Sequence, residues 1–342
     1  MGAEMVRRKG YGRASGAGTI INAIATFKGA AFGLDLWTEA EVEVGEDLHE
    51  VRGEVEGVEG TEGVEGAEEK AVEEAVKGAR GVGEVREVRE AEGARGVRGV
   101  RGEIEGEPSA DTSLIERCVE AVLRRFGFPL SAFVRTRSEI PLGSGLKSSS
   151  AAANATIAAT LDALGKKDEV DVLDAIRLGA VIAKEVGVSI TGAFDDACAS
   201  MLGGFVVTDN KRMLLLKREE REGLALVLIP REKAFTAETN VRRARIVAPW
   251  VALAFEAAMR GEFETAMTLN GFLYTAALGF SAEPILVALE CGVKGVSLSG
   301  TGPSYVALVE SEEQAREVES AWSALGWDAE VRICKINNKC SY

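Results

Sequence analysis

The stretch that most constrains this chain is "PLGSGLKSSSAAANA" at residues 141–155. A segment of alternating apolar and polar residues precedes it and predicts a strand. The alanine-rich run that follows predicts a helix over Ser148–Leu164. Gly143 and Gly145 can adopt positive φ, which lets the backbone approach a ligand closely. The sequence therefore predicts a strand, a glycine loop and a helix in direct succession.

This loop has the character of an anion site. Its serines are predicted at the N-cap and first turn of the helix, where free backbone N–H groups and the helix dipole favour a phosphate. Lys147 adds a mobile positive charge, and a serine hydroxyl could ligate Mg²⁺ between two phosphates. The alternative is an ordinary strand-to-helix turn with a serine cap. The spacing departs from the Walker A pattern, because Leu146 separates Gly145 from Lys147.

A second glycine loop lies far along the chain, in "SLSGTGPSYVAL" at residues 297–308. Gly300 and Gly302 fall between two short apolar strands, where backbone can pass close beside a ligand or another loop. Taken alone, this pattern is equally compatible with a hairpin turn.

Two adjacent carboxylates lie between the glycine loops, in "TGAFDDACASMLGG". Asp195 and Asp196 stand among small residues rather than in a charge run. This setting favours a phosphoryl-transfer or metal site over a solvated face. One carboxylate could orient or deprotonate an acceptor hydroxyl while a second group holds Mg²⁺.

Composition excludes several chemistries. His49 is the only histidine and lies in a stretch rich in Glu, Gly and Val, which argues against a Ser-His-Asp triad, a Cys-His pair or a histidine-ligated metal. The five cysteines are scattered without a C-x-x-C pair, so neither a disulfide framework nor a zinc site is expected.

Charge is concentrated in one segment. The formal net charge is −14, and residues 46–107 contain 19 acidic and 9 basic residues, about −10 of that total. This segment uses almost only Glu, Gly, Val, Arg and Ala, so it predicts a solvated low-complexity insertion without a catalytic role, in which a short helix over 67–76 is conceivable. A partner-binding or salt-adapted surface is the alternative.

The distribution of charge and hydropathy also limits partners and location. The sequence contains no basic stripe interleaved with aromatic residues, so we do not expect it to bind nucleic acid. No apolar run reaches the roughly 18 to 20 residues of a membrane span, and no signal-type apolar core follows the N-terminus. We expect a soluble, cytoplasmic protein that does not bind a membrane.

Strands and helices alternate irregularly along the chain, which favours an α+β class in two domains. The segments at 20–24 and 30–36 predict an N-terminal antiparallel hairpin, and a helix follows at "DTSLIERCVEAVLRRFG", capped by Asp111 or Ser113. A boundary near Pro230 is expected, which gives domains at 1–230 and 231–342.

With these segments in this order, the chain resembles the GHMP kinase superfamily, which includes galactokinase, homoserine kinase, mevalonate kinase and phosphomevalonate kinase. The family's second motif, P-x-x-x-G-L-G-S-S-A-A, is matched at Pro141, Gly145, Leu146, Ser148, Ser149 and Ala151. Its third motif, a G-S-G-P-type loop, is matched at Gly300, Thr301, Gly302 and Pro303. The family's aspartate, which lies eight residues before a Gly-Gly pair, corresponds to Asp195.

Within this superfamily the chain is similar to the archaeal-type shikimate kinases, in "GLKSSSAAANA", "GTIINAIATFKGAAFGLDL" and "TGAFDDACAS". The resemblance implies transfer of the ATP γ-phosphate to the 3-hydroxyl of shikimate. It also implies an N-terminal domain like ribosomal protein S5 domain 2 and a ferredoxin-like C-terminal domain, with ATP between them. Homoserine kinase, another small-alcohol GHMP kinase, or a non-catalytic small-molecule-binding homologue are the alternatives.

Two departures from relatives bear on the site. Mevalonate-kinase-like members have a lysine in their first motif where this chain has Thr19, so Lys147 is expected to replace that charge. Some relatives bind Mg²⁺ through a glutamate on the helix before the aspartate, and Glu185 is the nearest candidate here.

The predicted site residues follow from these patterns and the resemblance. Asp195 and Lys147 are the predicted catalytic residues, and Ser149 and Glu185 the predicted Mg²⁺ ligands. The substrate candidates are Thr19, Asn22, Asp195 and Arg242, with Arg243 and Arg245 as further cations for a carboxylate. The predicted ATP-binding residues are Pro141, Leu142, Gly143, Ser144, Gly145, Leu146, Lys147, Ser148, Ser149, Ser150, Ala151, Gly300, Thr301 and Gly302.

Overall fold

The computed structural model describes residues 7–46, 97, 99–232 and 240–342. These residues form an α+β structure with two sheets, as the sequence predicts. In the first sheet are β1 (Arg8–Ile21), β2 (Lys28–Gly45), β3 (Gly99–Ile104), β4 (Ser131–Ser138), β5 (Phe205–Asp209) and β6 (Leu214–Glu219).

The long strand β2 organises this first sheet. It pairs antiparallel with β1 along one edge, so an N-terminal antiparallel hairpin is present. The predicted first strand at 20–24 is wrong beyond Ile21, because residues 23–26 form the turn of the hairpin. Its other edge pairs with β4 at one end and with β5 at the other. β6 then extends the sheet beyond β5, and β3 pairs parallel with β4 at the opposite side.

Strand β3 lies inside the segment predicted as a solvated insertion. The prediction of a wholly solvated segment up to residue 107 is therefore wrong at this end, where Gly102 N donates to Glu116 Oε1 at 2.7 Å. Pairing with β4 satisfies backbone N–H and C=O groups in residues for which the sequence pattern predicts no strand. Most of the insertion, including the conceivable helix at 67–76, falls outside the described residues.

Between β3 and β5 in the chain, three helices contact strands of the first sheet: α1 (Ser113–Arg125), α2 (Ser148–Leu164) and α4 (Phe194–Leu202). The helix α3 (Val172–Glu185) packs against these three helices. The alanine-rich helix α2 lies directly on β1. A Cβ atom at Gly10 would stand 2.2 Å from Ala159 O, and one at Gly12 would stand 2.2 Å from Ala155 O. The two glycines therefore allow the backbones of strand and helix to approach closely, which fixes α2 and the loop that precedes it.

The second sheet has the order β10-β7-β9-β8. Its strands are β7 (Leu224–Pro230), β8 (Gly295–Leu298), β9 (Tyr305–Val309) and β10 (Ala329–Lys335). Its helices are α5 (Val241–Ile246), α6 (Ala248–Arg260), α7 (Phe263–Leu278), α8 (Glu283–Glu290) and α9 (Glu312–Ser323). β7 pairs with β9 and β10, although it precedes the expected boundary near Pro230, which stays a prediction.

The apolar core is continuous between the sheets. Phe32 on β2 stacks on Phe205 of β5 with ring centroids 5.1 Å apart, and Phe205 contacts Phe263 of α7 at 5.0 Å. All three rings are buried. Aromatic pairs of this kind add about 0.5–1.5 kcal/mol beyond burial. One cluster of buried apolar residues therefore includes strands of both sheets.

After β10 the chain returns to the first sheet. Ile336 N donates to Gly223 O at 3.1 Å, and Asn337 N donates to Gly33 O at 3.0 Å. The Tyr342 hydroxyl donates to Val170 O at 2.9 Å. Among the described residues, no helix is long and apolar enough to cross a membrane.

Candidate active site

The loop after β4 has the predicted geometry, with φ of 70° at Gly143 and 82° at Gly145. The helix begins at Ser148, so the predicted helix Ser148–Leu164 is confirmed. The N-cap is Lys147, with φ 70° and ψ 34° and no side-chain cap, and the prediction of a serine N-cap is therefore wrong. The three serines occupy the first turn instead, where backbone N–H groups have no acceptor within the helix and could bind an anion.

The two glycine loops are in direct contact. Ser299 Oγ donates to Gly145 O at 2.9 Å, and Ser304 N donates to Ser144 O at 3.2 Å. A Cβ atom at Gly145 would lie 2.3 Å from Ser299 O, so a larger residue there would force the loops apart. The structure therefore unites two motifs that are separated by about half of the chain in sequence.

Thr19 and Asn22, two of the substrate candidates, hold the second loop. Gly300 N donates to Thr19 Oγ1 at 2.8 Å, and Asn22 Nδ2 donates to Gly300 O at 2.7 Å. Both side chains are buried. Their hydrogen-bond partners in the structure are thus protein atoms, and a contact with substrate stays a prediction. Next to them, Gly302 N donates to Ser299 O at 3.0 Å and shapes the turn around Thr301.

Asp195 lies in the first turn of α4, an element that the sequence analysis did not identify as a helix. It is 3% exposed. Asn210 Nδ2 donates to Asp195 Oδ1 at 2.7 Å, and Asp195 N donates to Asn210 Oδ1 at 3.2 Å. On the other side, a Cβ atom at Gly29 would lie 2.2 Å from Asp195 Oδ2. The carboxylate is therefore fixed on both sides.

The local charges set the protonation of this carboxyl group. Burial, the largest cause, raises the pKa of Asp195 above its ordinary value, and the charge of Asp196 raises it further. The Lys147 ammonium and the hydrogen bond from Asn210 act in the opposite direction. A carboxyl group with a raised pKa is a stronger base once ionised, which suits acceptance of a proton.

Asp196 points to a different partner. Its Oδ1 lies 3.1 Å from Lys147 Nζ, with side chains that are only 15% and 7% exposed. Burial raises the pKa of Asp196, and Lys147 opposes that effect. This ion pair joins α4 to the loop at residues 141–147, the predicted phosphate loop, beside Asp195.

Two predicted residues lie away from these contacts. Glu185 is the exposed last residue of α3, and its side chain forms no hydrogen bond or ion pair with another described residue. Arg242 is exposed on the short helix α5. Its neighbour Arg243 donates from Nη2 to Ala276 O at 3.2 Å. Within the described part of the chain, no group of three His, Cys, Asp or Glu residues is arranged to hold a metal ion.

A cavity of about 570 Å³ opens beside the start of the phosphate loop. It lies between that loop and the ends of β7 and β10. Its lining residues are Pro141, Leu142, Gly143, Ser144, Ile229, Pro230, Arg231, Glu232, Ala329 and Glu330. This volume is in the range of small-ligand pockets, and four of the predicted ATP-binding residues, Pro141, Leu142, Gly143 and Ser144, line the cavity.

Sequence reasoning missed Asn210. It is 2% exposed, directly after β5, and its amide also accepts from Thr208 Oγ1 at 2.7 Å. A polar pair "DN" at the end of an apolar strand was the only available signal. Nothing in the spacing connects position 210 to position 195.

The family models match both halves of this arrangement. The model for "GHMP kinases N terminal domain" matches residues 113–204, and the model for "GHMP kinases C terminal" matches residues 254–326. The chain belongs to the GHMP kinase family. It is therefore a kinase that uses ATP. The first glycine loop and Asp195 lie in the segment that the N-terminal model matches, and the second glycine loop lies in the segment that the C-terminal model matches.

Within that family its relatives are shikimate kinases. The shikimate kinase of Methanosarcina mazei is 50% identical over 330 residues, which are 96% of this chain and 95% of that protein. The shikimate kinase of Halobacterium salinarum is 44% identical over 309 residues, 90% of this chain and 91% of that protein.

Solved structures agree on the fold. A homoserine kinase from Cytophaga hutchinsonii has a TM-score of 0.59 at 18% identity and covers 99% of this chain and 98% of that one. The Methanococcus jannaschii mevalonate kinase has a TM-score of 0.63 at 13% identity, with 98% and 99% covered. At these identities the likeness concerns the fold alone, and it confirms the GHMP kinase fold.

Proposed function

We propose that the chain transfers the γ-phosphoryl group of ATP to the 3-hydroxyl of shikimate, which gives shikimate 3-phosphate and ADP. The observation that carries this proposal is the 50% identity to shikimate kinases over 96% of the chain. The homoserine and mevalonate kinases share the fold at less than 20% identity. The reaction would serve the biosynthesis of aromatic amino acids.

The phosphate loop would bind the phosphates of ATP. Backbone N–H groups at residues 145–149 supply donors at the start of α2, where the helix dipole also favours negative charge. Lys147 would neutralise the charge that develops on the transferred group. The contact between the loops supports this role, because it fixes the donors before the nucleotide binds.

Asp195 would orient the acceptor hydroxyl and accept its proton. Its raised pKa and its rigid hydrogen bond with Asn210 support this role. The proton would pass from the 3-hydroxyl to a carboxylate oxygen as the new O–P bond forms. The bond between the γ-phosphorus and its bridging oxygen breaks at the same time, and ADP leaves with that oxygen.

Mg²⁺ is the divalent ion that such a reaction would use, and it would neutralise phosphate charge. The residues fit this ion only in part. Ser149 offers a hydroxyl in the first turn of α2, a position that suits a hard cation beside phosphates. Glu185 is an exposed carboxylate at the end of α3. Since no acidic cluster of three exists among the described residues, phosphate and water oxygens would complete the coordination.

The acceptor is an anion, so the site needs a local cation for its carboxylate. Arg242 on α5 is our candidate, since its side chain is exposed and no described residue pairs with it. Thr19 and Asn22 would act on substrate chiefly by fixing the loop at Gly300, with any direct contact to its hydroxyls in addition.

A coupled assay of ADP release with shikimate, homoserine and mevalonate as acceptors tests the proposal. We expect kcat/KM for shikimate to exceed the other two values by at least about 10²-fold. A higher kcat/KM for homoserine than for shikimate would identify homoserine as the acceptor instead. Binding of ATP without turnover of any acceptor would identify a non-catalytic homologue instead.

A further inference from the structure

The backbone of Lys147 is unusual for a residue with a side chain. It adopts the left-handed conformation, φ 70° and ψ 34°, as N-cap of α2. This conformation costs a residue other than glycine roughly 1–2 kcal/mol. Such outliers persist where the surrounding structure holds them, commonly at functional sites. The conformation directs a long side chain inward, where it is only 7% exposed, instead of into solvent.

The Lys147 ammonium lies where three segments meet. It extends from the phosphate loop and lies 3.1 Å from Asp196 Oδ1 in the first turn of α4. On the other side it contacts the second glycine loop, since a Cβ atom at Gly300 would stand 2.9 Å from Nζ. Gly300 therefore leaves the space that the ammonium occupies.

A buried ion pair by itself often contributes little to the free energy of unfolding. The loss of hydration can exceed the attraction between the charges, and apolar pairs of similar volume often stabilise a fold as well or better. Asp196 also raises the pKa of Asp195, which adds to the electrostatic cost of two adjacent carboxylates. A role for this pair in the reaction accounts for these costs.

We propose that Asp196 is a positioning residue that holds the Lys147 ammonium between the two glycine loops, where the transferred phosphoryl group would develop charge. Asp196 thus acts through Lys147, and the adjacent Asp195 is left to act on the acceptor hydroxyl. This inference rests on the proposed function, and it assigns different roles to two neighbouring carboxylates that the sequence pattern does not distinguish.

A double-mutant cycle tests the inference. The wild-type chain is compared with Lys147→Met, Asp196→Asn and the variant with both changes, by kcat and KM for ATP and shikimate. We expect Lys147→Met to lower kcat on the order of 10²-fold, comparable to the loss of one transition-state donor. Asp196→Asn alone should lower kcat about 10-fold or more, with a small change in KM for shikimate, because the ammonium loses its fixed position.

The decisive quantity is the effect of Asp196→Asn when Lys147→Met is already present. If Asp196 acts through Lys147, kcat of the double variant equals that of Lys147→Met within about 2-fold. If the loss of kcat in the double variant instead equals the product of the two single losses, the inference is overturned, because Asp196 would then act independently of Lys147. Should Asp196→Asn unfold because it leaves a buried unpaired cation, the double variant has no such charge and the same comparison decides.

A matched control separates this effect from simple loss of an ion pair. Asp174 pairs with Arg177 at 2.7 Å on the surface of α3, with side chains 48% and 36% exposed. Asp174→Asn should leave kcat within about 2-fold of wild type. A wild-type chain that does not phosphorylate shikimate would contradict the proposed function, whereas an active wild type with multiplied effects would contradict only the role of Asp196.

Discussion

The side chain of Asn210 binds both the carboxylate and the backbone N–H of Asp195, in the first turn of α4. Its Nδ2 donates to Asp195 Oδ1 at 2.7 Å, while its Oδ1 accepts from Asp195 N at 3.2 Å and from Thr208 Oγ1 at 2.7 Å. These contacts fix the orientation of the amide, since a flipped group would turn its oxygen toward the carboxylate. Asn210 therefore favours the ionised form of Asp195.

Asn210→Ala should move the acid limb of the kcat–pH profile to higher pH. The hydrogen bond from Asn210 lowers the pKa of Asp195, so its loss raises that pKa and the base becomes protonated at a higher pH. The profile is measured by ADP release between pH 5 and 9. Asn337→Ala, which also removes a buried amide, is the control and should leave the acid limb in place. An unmoved limb in Asn210→Ala would show that Asp195 is not the titrating base.

Asp195→Asn should remove activity and stabilise the fold at high pH. Loss of a general base costs about 10²–10⁴-fold in kcat. Because the folded pKa of Asp195 is raised, the folded chain binds a proton that the unfolded chain has released, so its stability falls as pH rises through the folded pKa. The variant lacks this penalty. The difference in Tm between Asp195→Asn and wild type should therefore be largest above that pKa and should decrease toward acid pH. The reverse trend would contradict a raised pKa of Asp195 in the folded chain.

Gly29→Ala should displace the carboxylate of Asp195. The new Cβ would meet Asp195 Oδ2 at 2.2 Å, a distance that requires movement. We expect kcat to fall at least about 10-fold, with a loss of about 1–3 kcal/mol in the free energy of unfolding. Gly179→Ala in α3 is the control, because its nearest neighbour would be a side-chain tip at 3.2 Å and alanine favours a helix. Equal activity of the two variants would contradict this account.

Thr19→Val should loosen the second glycine loop. It removes the acceptor for Gly300 N and leaves a buried donor unsatisfied, which costs about 1–3 kcal/mol. KM for ATP should rise together with this loss of stability. Thr156→Val is a matched control, since the buried Thr156 hydroxyl has no partner among the described residues. That variant should be neutral or more stable in denaturant unfolding.

Ser149→Ala and Glu185→Gln should each raise the Mg²⁺ concentration needed for half-maximal activity if both residues ligate the ion. Glu169→Gln, which removes an exposed carboxylate paired with Lys166, is the control and should leave that concentration unchanged. A normal Mg²⁺ requirement in Glu185→Gln would remove Glu185 from the site and leave Ser149 as the protein ligand.

Local patterns predicted much of this site. The strand β4, the glycine loop at 141–147 and the helix α2 follow from local conformational preferences, so all three could be identified. The first strand of the N-terminal hairpin was predicted at 20–24, whereas β1 is Arg8–Ile21, because glycines and a serine in 8–18 weaken the strand pattern. Those glycines are explained by the approach of α2, which is a tertiary contact.

Other features depend on contacts between distant segments. The pairing of Asn210 with Asp195 and of Lys147 with Asp196 requires the fold, and no spacing rule connects these positions. Strand β3 was missed because its composition matches the insertion before it, and its order comes from pairing with β4. The N-cap at Lys147 opposes the ordinary preference for serine, which reflects the ion pair that the lysine makes.

The chain passes between its two sheets twice, and both passages lie side by side. Near Gly223 it leaves the first sheet, and at Ile336 it comes back, with Ile336 N bonded to Gly223 O at 3.1 Å. Arg221 and Asn338 exchange two further hydrogen bonds of 3.1 Å beside this point. The two covalent connections between the sheets are thus hydrogen-bonded to each other. Both links depend on the same short stretch of backbone, so a single substitution that disturbs these bonds would affect both links at once.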